Sequence, residues 1–186
     1  MKILNSIARY LVGGLFIFSG LIKVNDPVGT QIKLEEYFTV FAVDIAPFFD
    51  SLKPLALFFS ILLSTLEVVL GIAILIKYRE KLVTSLLLGM IVFFTFLTFY
   101  SAYFNKVTDC GCFGDAIKLT PWQSFIKDII LLVFIVVLFI NRKVNNNPNP
   151  SGKRHLVIGL STVFCLTVAY LSINHLPFID FRAYKA

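Results

Sequence analysis

The sequence has little charge for its length. Only 15% of its 186 residues are Asp, Glu, Lys or Arg, while 58% are hydrophobic, and the mean hydropathy is +0.84. Soluble domains of this size carry about 25% charged and about 45–50% apolar residues. The composition therefore excludes a soluble globular domain and predicts an integral membrane protein of the all-α class, with the lipid bilayer as its surroundings.

Metal-binding side chains are also few, with three cysteines and two histidines. Zinc usually takes four protein ligands. Only His175, Asp109 and Asp115 are expected on the same side of the membrane as the paired cysteines, and His155 is expected on the other side. We therefore predict no metal site.

Five apolar runs are long enough to cross a hydrocarbon core of about 30 Å, which takes about 20 helical residues. They lie at 5–24, 54–76, 82–104, 121–141 and 155–175. The prediction is a multi-pass transmembrane four-helix bundle over residues 1–141, a cytoplasmic linker at 142–154, and a fifth transmembrane helix with an extracytoplasmic tail at 155–186.

Lys and Arg are denser on one side of these spans, and the denser side is expected to be cytoplasmic. Nine cations then lie inside with only Glu80 against them: Lys2, Arg9, Lys77, Arg79, Lys81, Arg142, Lys143, Lys153 and Arg154. This predicts a cytoplasmic N-terminus and an extracytoplasmic C-terminus in a bacterial inner membrane. The net charge of +6 is thereby read as a topology signal, and no nucleic acid partner is predicted.

The segment 28–53 is too polar to cross the membrane. Leu34, Phe38, Phe41 and Ile45 recur at helical spacing within it, which predicts an amphipathic helix lying over the outer mouth of the bundle. It is either an interfacial anchor or a lid over a pocket reached from the loop between the third and fourth spans.

That loop carries Cys110 and Cys112 on either side of Gly111. A disulfide closing so short a loop stabilises by only about 1.6 kcal/mol in the chain-entropy model, whereas a strained, exposed disulfide is easily reduced and suits electron exchange. A structural disulfide remains the alternative. The supporting loop residues are Asp109, Gly111, Phe113, Gly114 and Asp115.

Four ionisable residues fall inside the apolar runs: Lys23, Glu67, Lys127 and Asp128. Such groups are functional candidates by default. Counting the helical rise predicts Lys23 about 8 Å and Asp128 about 10 Å below the outer edge, hence a buried Lys23–Asp128 ion pair. Lys127 is predicted to snorkel outward. Glu67, about 20 Å deep, is predicted to lie beyond both lysines, with a protonated form bonded to Ser19 or Thr95 as the alternative to a functional role.

Three patterns together resemble the MauE/DoxX family of redox-associated membrane proteins. They are Arg9-x3-Gly13-x2-Phe16-x2-Ser19-Gly20-x2-Lys23-x2-Asp26-Pro27, Glu67-x3-Gly71, and the Cys-Gly-Cys-Phe-Gly-Asp loop. The resemblance implies a four-helix membrane bundle similar in plan to vitamin K epoxide reductase, associated with thiol-disulfide chemistry outside the cytoplasmic membrane.

The predicted function is thiol-disulfide exchange between the Cys110/Cys112 pair and an extracytoplasmic thiol protein, with a membrane quinone as a further candidate acceptor of the electrons. The alternative is a non-catalytic membrane scaffold or assembly subunit, working with other membrane complex subunits, in which the cysteines form a structural clip.

Overall fold

The computed structural model describes residues 2–104, 106–107, 119–141 and 152–174. Six α-helices account for most of them: α1 Lys2–Asn25, α2 Pro27–Asp44, α3 Ala56–Leu75, α4 Glu80–Phe104, α5 Pro121–Ile140 and α6 Gly152–Asn174, with a 3-10 segment at Pro47–Leu55 between α2 and α3. No strand occurs in these ranges, which confirms the all-α prediction.

Five helical stretches are long and apolar enough to cross a membrane: Ile3–Asn25, Pro47–Leu75, Glu80–Phe104, Pro121–Ile140 and Gly152–Asn174. They match the five predicted spans to within a few residues, except that the second begins earlier, because the 3-10 segment continues directly into α3. The protein is therefore a multi-pass membrane protein.

Helices α1, α3, α4 and α5 share one apolar core. Each contributes buried side chains to it, among them Val12, Ile74, Leu87 and Ile135. Helix α6 lies outside this bundle against α3 and α1. Its Cys165 is fully buried beside Val68 and is a free thiol, as expected of a cysteine that acts as a small apolar side chain.

Helices α1 and α3 approach each other closely at small residues. A Cβ atom on Gly20 would lie 2.9 Å from the backbone nitrogen of Val68, and a Cβ on Gly13 would lie 3.0 Å from the carbonyl oxygen of Gly71. Helices in lipid associate through such close packing. Gly13 and Gly20, seven residues apart on one face of α1, form this packing face, which fixes the antiparallel register of α1 on α3.

We expect Gly20→Ala to destabilise the protein by about 1–3 kcal/mol, because the added methyl group overlaps backbone that cannot move aside alone. Gly14→Ala is the matched control, since no atom lies within 4 Å of a Cβ there. Reversible unfolding in detergent micelles measures both changes. Equal losses in the two variants would show that the close approach does not hold α1 on α3.

Candidate functional site

Lys23 and Glu67 form a buried ion pair inside the bundle. The Lys23 ammonium group donates a hydrogen bond to Glu67 Oε1, and the two residues are 6% and 1% exposed. Lys23 Nζ also lies 4.5 Å from the centre of the Phe94 ring, in cation–π geometry. The pair follows from the α1–α3 register, because Gly20 packs against Glu67 and Lys23 is one helical turn nearer the C-terminal end of α1.

Asp128 on α5 is the second buried carboxylate of this region, 1% exposed. Its Oδ2 accepts a hydrogen bond of 3.0 Å from the Thr98 hydroxyl on α4, and its Oδ1 lies 2.9 Å from Lys127 Nζ. Asp128 thus joins α4 to α5 just as Glu67 joins α3 to α1.

The two pairs line one small cavity of about 30 Å³ together with Ser19 and Phe94. This volume is enough for about two water molecules. Glu67 Oε2 is buried at the cavity and has no hydrogen-bond partner among the described residues. The cavity holds two cationic and two anionic side chains, so its formal charges cancel.

The predicted Lys23–Asp128 pair is therefore wrong, although both residues reach the same cavity. Sequence counting placed Glu67 too deep for a lysine, but the Gly20 contact sets Lys23 only about 4.5 Å further along the axis, within reach of its long stem. Lys127 does not snorkel away from the bundle but contacts Asp128, with its side chain 22% exposed. Thr95 does not satisfy Glu67, because its hydroxyl has no partner in the described part of the chain.

Helix α2 covers the C-terminal end of α4. Leu34 and Phe41 are buried, as predicted, and the Phe41 ring meets the Tyr100 ring edge to face at 4.9 Å. Tyr37 is buried beside them, whereas Ile45 is 54% exposed. The prediction of Ile45 on the packed face is wrong because α2 ends at Asp44, so the helical period does not extend to it.

An ion pair fastens the end of α2 to the chain that follows α4. Lys106 Nζ lies 2.6 Å from Asp44 Oδ1, and the Tyr100 hydroxyl donates to the same carboxylate. These hydrogen bonds, that of Lys106 foremost, hold the pKa of the Asp44 carboxyl below its ordinary value of 3.8. The contact is therefore present at neutral pH.

Both stems of the cysteine loop are held in place. Val107 is fully buried, and its carbonyl accepts a hydrogen bond from the Ser101 hydroxyl. At the other stem, Thr120 and Gln123 form a reciprocal capping box at the start of α5. The proposed loop residues themselves lie outside the described ranges: Asp109, Cys110, Gly111, Cys112, Phe113, Gly114 and Asp115.

Residues 1–141 match the family model described as methylamine utilisation protein MauE. The chain belongs to the MauE family. A curated relative, protein TlpB of Flavobacterium psychrophilum, is 30% identical over 169 residues, which are 88% of this chain and 43% of TlpB. The chain thus spans less than half of that relative's length. No solved structure matches the chain.

A second buried ion pair of this MauE family protein was missed by the sequence reasoning. Arg9 Nη1 lies 2.7 Å from Glu80 Oε1, with side chains 7% and 4% exposed, in an arrangement that does not meet hydrogen-bond geometry. Glu80 was the sole acid among nine cations at this end of the spans. That isolation is the signal that could have found the pair.

Proposed function

We propose that this protein is a thiol-disulfide oxidoreductase of the bacterial inner membrane, working through Cys110 and Cys112. In the exchange, two thiols of an extracytoplasmic partner lose two electrons and two protons and become a disulfide. The disulfide of the loop takes up the two electrons and two protons and becomes two thiols. Membership of the MauE family supports a membrane protein, and the cysteine pair supplies the chemistry.

The observation that carries the proposal is the buried polar cavity beneath the two fixed stems of the loop. Asp128 lies eight residues below Thr120, about 12 Å along α5. Thr98 lies six residues below the end of α4, about 9 Å along that helix. Chain length alone keeps the Cα atom of Cys110 within about 11 Å of that of Val107. A reactive thiol pair would thus be tethered above proton-exchanging groups that are shielded from bulk water.

The proposed orientation puts the loop outside, where disulfides persist. The end of the bundle with Arg9, Lys77, Arg79 and Arg154 is rich in cations, and cytoplasmic loops carry such an excess. The opposite end, with Asp26, Asp44 and the loop stems, carries most of the acids that lie between spans. The N-terminus is then cytoplasmic.

Trapping of mixed disulfides tests the proposal. In intact spheroplasts, Cys110→Ser or Cys112→Ser leaves one loop thiol that attacks the disulfide of the oxidised partner, forms a mixed disulfide and releases one partner thiol, but the variant has no second loop thiol to resolve the intermediate. We expect one of the two single variants to accumulate a covalent adduct on non-reducing gels, and the double variant to show none. Cys165→Ser is the matched control, because a buried apolar thiol should not affect trapping.

The same cells report the orientation. A maleimide that cannot cross membranes should label the reduced loop cysteines before lysis and leave Cys165 unlabelled. Labelling of the loop only after lysis would contradict the orientation. If neither single variant forms an adduct and the Cys110/Cys112 pair of the unmodified protein never changes redox state, the protein is the non-catalytic scaffold instead.

A further inference from the structure

An apolar groove runs along the outside of the bundle between α1 and α5. Its volume is about 380 Å³, and its walls are mainly Leu11, Ile126, Ile130 and Phe134. Ligand pockets in proteins range over about 300–1,000 Å³. The groove is therefore large enough for a chain-like ligand and faces the lipid.

The groove and the polar cavity share part of their lining. Leu15, Lys127 and Leu131 line both spaces. Gln123 and Lys127 lie four residues apart on α5 and so on one face of that helix. The Gln123 carbonyl oxygen accepts from the Thr120 backbone N–H, which leaves the amide NH2 of this groove-lining side chain as a hydrogen-bond donor.

Polarity is thus confined to one end of a long channel. From Gln123 to Phe134 the groove extends about 16 Å along α5, and the part beyond Lys127 is apolar. This arrangement fits a molecule with a polar head that accepts hydrogen bonds and an apolar tail.

Charge and depth restrict the head group. The cationic and anionic side chains around the cavity balance, so nothing there complements a charged head. Lys127 also lies about 9 Å below the start of α5, where Trp122 is exposed as in the aromatic belt of a membrane interface. A phospholipid phosphate stays above that level, whereas a neutral head dissolved in the hydrocarbon can reach it.

We propose that this groove binds an uncharged, lipid-soluble carrier with carbonyl acceptors, of the quinone class, with its ring at Gln123 and Lys127 and its tail between α1 and α5. Glu67 lines the adjoining cavity with Lys127, and its Oε2, which has no hydrogen-bond partner among the described residues, offers an acceptor for a hydroxyl of the reduced form. The binding site is inferred from the geometry of the groove. Electron transfer from the loop cysteines to the bound quinone rests on the proposed thiol function. Two electrons and two protons from the Cys110/Cys112 dithiol would convert the quinone to a quinol and leave a disulfide.

Photolabelling of the purified full chain in lipid nanodiscs tests the site. The probe is a short-chain azidoquinone, with an unlabelled short-chain quinone as the competitor. We expect saturable labelling on peptides of α1 and α5. Ile130→Trp should fill the groove and lower the competed labelling at least about fivefold, and Leu11→Trp should do the same from the α1 wall. Val133→Trp is the matched control, because Val133 is as exposed as Ile130 on α5 but does not line the groove.

The outcomes separate the two proposals. Three results would overturn the quinone site, whatever the thiol result. They are labelling that does not saturate, labelling that falls equally in Val133→Trp, and a groove that contains only a co-purified phospholipid. Labelling should persist in the Cys110→Ser/Cys112→Ser variant, because the groove contains no cysteine. Saturable labelling without any mixed disulfide would leave the quinone site standing and contradict the thiol function. Thermal unfolding of both Trp variants checks that the bundle stays folded.

Discussion

Replacing Lys23 by Met is expected to lower the free energy of unfolding by about 3–5 kcal/mol, because the change leaves the Glu67 carboxylate buried without its counter-charge. Glu67→Leu should cost a similar amount by stranding the ammonium group. The double variant should be much less damaged than the sum of the two losses, since a buried pair replaced by apolar side chains leaves no unpaired charge. Equilibrium unfolding in detergent at neutral pH measures the cycle.

A second cycle on the same lysine provides the control. Asp128 bonds to Thr98 and Lys127 rather than to Lys23, so Lys23→Met and Asp128→Leu should show a smaller coupling energy than Lys23→Met and Glu67→Leu. If the coupling energy of Lys23 with Asp128 were as large as that of Lys23 with Glu67, it would contradict the observed pairing. It would support the Lys23–Asp128 pair that was expected from the helical rise.

The fold was predictable because its signals are local in the sequence. The length of an apolar run decides whether it can span a membrane. All five runs form helices that are long and apolar enough. The capping box of Thr120 and Gln123 was recognisable from residue types three apart. The separation of α2 from the 3-10 segment was not foreseen, because the apolar pattern continues through Ile45 while the helix itself ends at Asp44.

The residues of the cavity were predictable, but their partners were not. An ionisable group in an apolar run is conspicuous by itself, so Lys23, Glu67, Lys127 and Asp128 all stood out. Which residues pair depends on the rotation and register of neighbouring helices. Counting the helical rise along one helix gives neither of these. The Gly20 contact with Glu67 supplies the register here, and it becomes visible only once α1 and α3 are packed.

The Arg9–Glu80 pair was missed for a related reason. Arginines near the cytoplasmic end of a span are expected in water or among lipid head groups, so Arg9 raised no question in the sequence. In the structure both side chains are buried where α1 meets the start of α4. The pair therefore belongs to the interior of the bundle, where the loss of one partner has large consequences.

Glu80→Leu is expected to destabilise the protein more than Arg9→Met does, although each change removes one half of the same 2.7 Å contact. A stranded carboxylate can neutralise itself by taking up a proton, whereas the arginine guanidinium stays charged under all working conditions. We expect a loss of about 3–5 kcal/mol when either partner is removed, with Glu80→Leu at the upper end of that range and Arg9→Met at the lower end.

Equilibrium unfolding of the two single variants and the double variant at neutral pH measures this difference. Lys81→Met is the matched control, because Lys81 adjoins Glu80 in sequence but is exposed, and it should change the stability by less than about 0.5 kcal/mol. The double variant should recover most of the loss, since it removes the stranded guanidinium together with its partner. If Arg9→Met proved the more damaging change, Arg9 would have to reach water or lipid head groups when its partner is gone. This end of the bundle would then be hydrated rather than closed.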